Sequence, residues 1–119
     1  MKLGKKITGG KYIKGNKKKK HSRPGQLKSV KLGEEKKKTV RVMGGNTKTF
    51  LLKGKSINLK MGDKNKKTDI TNVLETPSNR FLARQNIITK GTIVETPLGK
   101  ARITNRPTQE GNINGILIK

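Results

Sequence analysis

The sequence predicts an all-β body, a small barrel of six or seven short strands with one short helix, behind a basic N-terminal extension. Three features lead there. Beyond Lys38, apolar residues recur at every second position in short runs, the period of a half-buried strand. Turn-forming groups such as Gly44-Gly45-Asn46 and Thr96-Pro97-Leu98-Gly99 separate those runs at close spacing. Residues 1–43, by contrast, hold 16 Lys/Arg against two acids, Glu34 and Glu35, a net of +14. The reading divides the chain into an extension, 1–37, and a body, 38–119. Closure into a barrel is expected because an open sheet leaves edge strands free to pair.

Along the extension, Leu3, Ile7, Tyr12, Ile13, Leu27, Val30 and Leu32 follow neither a helical nor a strand period. A segment this charged and this poor in apolar residues cannot offset the entropy of ordering, so it is expected to be disordered without a polyanion. Its centre is Lys17-Lys18-Lys19-Lys20-His21-Ser22-Arg23-Pro24-Gly25. Gly9-Gly10, Gly15-Asn16 and Pro24-Gly25 let the path turn, which suits an irregular RNA surface better than a helix in a DNA groove.

In the body, strand order is expected to begin near Lys38. Val40 and Val42 share one face of the first run, Gly44-Gly45-Asn46 turns it, and Thr47 to Lys53 returns with Phe50, Leu51 and Leu52. In Ser56 to Met61 the residues Ile57, Leu59 and Met61 face inward, and Asn58 and Lys60 outward. Gly62 to Lys67 reads as a basic turn and Asp69 to Glu75 as the next strand. Thr76-Pro77-Ser78 reads as a helix start, with Thr76 capping and Pro77 at the first position. Phe81, Leu82 and Gln85 then face inward, and Arg80 and Arg84 stand four apart on one face, a pair that repels unless an anion sits between. Thr92 to Glu95 and Lys100 to Asn105 form a hairpin around Thr96-Pro97-Leu98-Gly99, whose Pro and Gly suit a type I turn. Asn112 to Ile118 is the last strand.

The whole chain has 119 residues, 30 Lys/Arg and 7 acids, for a net +23 and a pI near 10.8. Such a charge repels itself and finds relief by releasing counterions from nucleic acid. Hydrophobic residues make up 29%, with two Phe, one Tyr and no Trp, so the core is small and aliphatic. The absence of cysteine excludes disulfides and thiolate metal sites. No apolar run approaches the ~20 residues of a membrane span, and a soluble cytosolic protein is expected.

Catalysis finds no support. His21, the one histidine, sits in a lysine run without a fixed partner. The acids form no evident carboxylate pair, no metal-ligand spacing occurs, and neither Gly9-Gly10 nor Gly44-Gly45 matches a phosphate loop. No cofactor is expected. Base-stacking platforms need two or three exposed rings, and Tyr12, Phe50 and Phe81 fall short because at least one Phe is expected in the core. Phosphate and 2′-hydroxyl contacts to folded RNA remain.

Several stretches resemble a known family. Lys5-Lys6-Ile7-Thr8-Gly9-Gly10 followed by a lysine run is similar to the N-terminal signature of the archaeal and eukaryotic small-subunit ribosomal protein S-eight-e. Arg41 to Lys48, Asn86 to Gly91, Leu98 to Thr104 and Arg106-Pro107 resemble its later blocks, and the short length looks archaeal. Where that family usually has Glu-Leu-Gly after the lysines, this chain has Ser22-Arg23-Pro24-Gly25. The resemblance implies a barrel-like body and a structural role on small-subunit ribosomal RNA, beside neighbouring ribosomal proteins. It implies RNA contacts at Lys5, Lys6, Thr8, Gly9, Gly10, Lys17, Lys18, Lys19 and Lys20. On the body it implies Arg41, Asn46, Lys48, Asn79, Arg84, Lys90, Lys100 and Arg102. Lys11, Lys14, His21, Arg23, Arg80 and Arg106 complete the candidate set. A ribosome-assembly factor of the same fold and a polybasic module for anionic membranes are the competing readings; no membrane and no small-molecule substrate are expected.

Overall fold

The structure is a computed structural model that describes residues 4–13 and 15–118. It contains ten strands: β1 Val30–Leu32, β2 Lys36–Arg41, β3 Thr47–Gly54, β4 Ser56–Met61, β5 Lys64–Asp69, β6 Asn72–Glu75, β7 Ile87–Ile88, β8 Ile93–Thr96, β9 Gly99–Ile103 and β10 Asn114–Leu117. Two short helices, α1 Arg80–Arg84 and α2 Pro107–Glu110, lie between them. The strands form a four-stranded sheet, β2-β3-β1-β7, and a six-stranded sheet, β5-β4-β10-β9-β8-β6. The all-β reading holds. The closed barrel does not, and there are two short helices rather than one.

Closure proves unnecessary for physical reasons visible at the edges. Edge strand β2 carries Lys36, Lys37 and Lys38, and edge strand β5 carries Lys64, Lys66 and Lys67. Charge of one sign along an exposed edge repels a further strand, so the sheets end without being sealed. The other edges, β6 and β7, are four and two residues long, too short to template pairing.

Three hairpins follow local sequence. β2 and β3 pair around Gly44 and Gly45, whose φ angles of 75° and 76° favour glycine. β8 and β9 pair from Thr96↔Gly99 inward, and the Thr96 hydroxyl donates to the Gly99 carbonyl at 2.7 Å. β4 and β5 pair from Met61↔Lys64, so the predicted basic turn over Gly62 to Lys67 is corrected to a two-residue turn and a strand. The strand escaped detection because Lys64-Asn65-Lys66-Lys67 has no apolar alternation; it lies on the sheet edge and buries almost nothing.

Two parallel pairings are long-range. β10 lies parallel to β4 and β1 parallel to β3, which makes both sheets mixed. Strand order therefore begins at Val30, ahead of the expected start near Lys38. Val30 is fully buried between β3 and β7, and the Leu32 amide donates to the Asn86 carbonyl at 2.9 Å. A three-residue strand with one buried side chain leaves no periodic signal.

The core is aliphatic, as the composition requires. Val30 and Leu51 of the smaller sheet meet Ile57, Leu59, Val94, Ala101 and Ile103 of the larger, with Ile70 and Ile113 beside them. Neither Phe belongs to this cluster: Phe50 is half-buried and Phe81 is 61% exposed, against the expectation that at least one ring fills the core. The chain crosses between sheets at Gly54-Lys55, where a Cβ on Gly54 would stand 3.0 Å from Leu51 Cδ2 and 3.2 Å from Ile113 Cδ1.

The predicted helix start also shifts. Thr76 is buried, and the cap is Asn79, whose side-chain oxygen accepts from the Phe81 amide at 2.9 Å. Asn86 then takes the left-handed conformation after the helix, φ 53°. α2 has Pro107 at its start and Gly111 at φ 74° after its end. That Pro-first, Gly-last order is a sequence signature of a helix.

Candidate nucleic-acid interface

Every described residue from Gly4 to Ser29 is exposed, and the molecule extends over 66 × 36 × 29 Å. Its radius of gyration is 20.8 Å, against roughly 13–14 Å for a compact chain of this length. The difference is the leading segment standing off the body.

Within that segment the sequence makes a small hairpin. Lys5 bridges Lys11, the Lys6 amide donates to the Gly10 carbonyl at 2.8 Å, and the Gly9 amide donates to the Lys6 carbonyl at 2.9 Å. Gly9, at φ 80°, permits the tight return. Lys5, Lys6, Thr8, Gly9, Gly10 and Lys11 are thus brought together, with Ile7 fully exposed at the tip. Lys14 lies outside the described residues. Lys17, Lys18, Lys19, Lys20, His21 and Arg23 form an exposed run with a single 3-10 turn over Lys20–Ser22.

On the body the candidate residues fall into separate places. Arg41, Asn46 and Lys48 gather at one end of the β2–β3 hairpin, where Arg41 opposes Thr47 and Lys48 opposes Val40, so the two cations lie on opposite faces. Arg80 and Arg84 stand exposed on α1, with the Arg84 guanidinium 6.0 Å from the Phe81 ring centre. Asn79 spends its oxygen on the helix cap and keeps its amide as a donor. Lys100 and Arg102 lie on the outer face of the six-stranded sheet, opposite Glu95 and Ile93. Lys90 and Arg106 line a groove elsewhere.

The structure aligns Arg102 of the candidate set with residues that the set lacked. Asn65, Lys60, Ile116, Arg102 and Ile93 sit in register across five strands of the larger sheet. Beside them Lys67 opposes Asn58, whose amide donates to Asn114 Oδ1 at 3.1 Å. The outward alternation of Asn58 and Lys60 was readable in sequence; their alignment with Arg102 depends on β10 pairing with β4.

Neutralisation is sparse. Among the described residues two ion pairs form, Lys37 with Glu35 and Lys55 with Asp69 at 3.5 Å. The hydrogen bond from Lys37, with its charge, holds the exposed Glu35 carboxyl below its ordinary pKa. Other described cations have no acidic partner within salt-bridge distance, a surface that attracts a polyanion. Among the described residues no group of three metal-ligating side chains occurs, and no helix is long and apolar enough to cross a membrane.

A mostly β body bearing an extended segment of exposed cations with few acidic partners makes this a strongly basic protein. Comparison with known sequences carries this further. The family described as ribosomal protein S8e matches residues 2–118, and the chain belongs to that family. The small ribosomal subunit protein eS8 of Staphylothermus marinus is 46% identical over 118 residues, covering 96% of this chain and 91% of the relative. The eS8 proteins of Nanoarchaeum equitans and Methanosarcina barkeri are 43% and 39% identical, covering 95% and 96% of this chain and 91% and 93% of theirs. The family is one of ribosomal proteins rather than enzymes, and these relatives are archaeal.

Proposed function

We propose that this chain is a structural constituent of the small ribosomal subunit, resident on the cytoplasmic ribosome and held on ribosomal RNA by phosphate and 2′-hydroxyl contacts. The observation that carries the reading is a cationic surface that the protein does not neutralise, in a chain matching small-subunit proteins over almost its whole length. The leading segment ahead of strand β1 takes a fixed path on RNA, and the body from β1 onward supplies the docking surface, with β1 as the root of the segment. Ordering the extension is deducted from the gross contact energy, so much of the affinity is electrostatic. Lys5, Lys6, Lys11 and Lys17 to Lys20 neutralise phosphates, while Thr8, Asn46 and Asn79 donate to phosphate or ribose oxygens. Neighbouring ribosomal proteins are its protein contacts.

Sucrose-gradient fractionation of cells carrying the tagged protein tests this. The expected result is stoichiometric presence on mature small subunits. Presence on precursor particles alone would assign the chain to assembly instead, and vesicle binding that survives nuclease would assign it to membranes.

A further inference from the structure

We infer that the groove between the root of the leading segment and α2 accepts one unpaired nucleotide, its base on Phe50 and its phosphate among Lys38, Lys90 and Arg106. The inference rests on the RNA-binding reading and narrows it to one site and one kind of RNA element. The groove is an open depression of about 1090 Å³ whose lining contains four cations, Lys28, Lys38, Lys90 and Arg106, and no carboxylate. Its floor is aromatic. Phe50 faces away from the core, because its neighbour Leu51 is the buried residue on β3. In a chain with two Phe, a half-buried ring on the outer side of a sheet is not spent on core packing.

The surroundings of the ring are specific. Lys38 lies directly across from Phe50 in the β2–β3 register. The Lys28 ammonium stands 3.2 Å from the ring centre, and its backbone carbonyl accepts from the Thr108 hydroxyl at 3.4 Å. Lys28 thus covers the ring with a charge on a flexible stem, which a base can displace while the ammonium turns to the phosphate. Thr89 and Gln109 add polar side chains to the lining, the Thr89 hydroxyl also pairing with that of Thr92 at 3.0 Å. A nucleotide joins a flat π-face to an anion, the two chemistries the groove offers together. Tyr12 and Phe81 are exposed without such walls.

The test measures affinity of the full chain for two synthetic RNA stem-loops, identical except for one bulged adenine. Wild type is expected to prefer the bulged RNA by about five-fold to a hundred-fold, the range contributed by one base stacked on an aromatic ring. Phe50→Leu abolishes the preference without changing affinity for the fully paired stem, and Phe50→Tyr keeps it. Joint Lys90→Ala and Arg106→Ala weakens binding to both and lowers the salt slope by about one to two. Equal wild-type affinity for both RNAs overturns the groove assignment and leaves the RNA-binding reading standing. Binding to neither overturns both. A preference that survives Phe50→Leu overturns the assignment, as does a Phe50→Leu loss of retention on the particle with unchanged RNA affinity, which would give the groove to a protein neighbour.

Discussion

Gly115 lies hard against Ile57: a Cβ at Gly115 would stand 2.9 Å from Ile57 Cδ1 and 3.0 Å from the Arg102 carbonyl oxygen. Ile57 is fully buried on β4, and Gly115 is the point where β10 passes between β4 and β9. The glycine is therefore a packing requirement of the parallel β4–β10 pair. No unusual backbone angle is involved, since Gly115 is absent from the positive-φ glycines.

Gly115→Ala is expected to destabilise the fold by about 1–3 kcal/mol, the usual cost of overfilling a packed core. Urea unfolding measures it. Gly45→Ala makes an instructive contrast: nothing lies within 4 Å of its Cβ, so any loss there comes from its φ of 76° alone.

The start of the folded body can be located by hydrogen exchange on the RNA-free protein. From Gly4 to Ser29 the amides should exchange near unfolded rates, the Lys6 and Gly9 amides being slowed by their hairpin bonds. The Leu32 amide, bonded to Asn86, should be protected. A chain beginning at Gln26, which keeps the Lys28 contacts with Phe50 and Thr108, should melt like the full protein. One beginning at Lys38 loses β1, uncovers Ile88 and should melt lower. A rigid, protected leading segment in the free protein would contradict the extension as described.

Asn79 has two uses that substitutions separate. Asn79→Ala should cost about 0.5–2 kcal/mol of stability through the lost cap, and Asn79→Ser should recover most of it. If the amide also contacts RNA, both variants lose the same two- to ten-fold or so in affinity, about one neutral hydrogen bond. Restoration of RNA affinity by serine would limit Asn79 to the cap.

Salt titration reads the lysine run. With about ten phosphates neutralised, log K against log salt should fall with a slope of roughly −7 to −9. Replacing Lys17, Lys18, Lys19 and Lys20 by Ala should lower the magnitude of that slope by about three, with melting unchanged because all four are exposed. A slope unaltered by the fourfold change would remove these lysines from the phosphate contacts.

Sequence alone determined the charge imbalance and the division of material between a cationic leading segment and a small aliphatic core. It also determined the hairpins at Gly44-Gly45 and Thr96-Pro97-Leu98-Gly99 and the inward pair Ile57 and Leu59, whereas Met61, expected inward with them, lies 41% exposed at the end of its strand. These are local properties: a turn needs particular residues at the turn, and a strand's buried face needs alternation within that strand. The helix at Pro107 is equally legible from its Pro and Gly. Only the tertiary structure decided which strands meet. Backbone N–H and C=O groups are the same at every strand, so nothing in Ser56 to Met61 names β10 as its parallel partner, or in Val30–Leu32 names β3. Polar β5 became a strand because β4 offered it an edge. Phe50 lies outside an aliphatic core, and Lys28, Lys38, Lys90 and Arg106 come together from separate positions in the two halves of the chain.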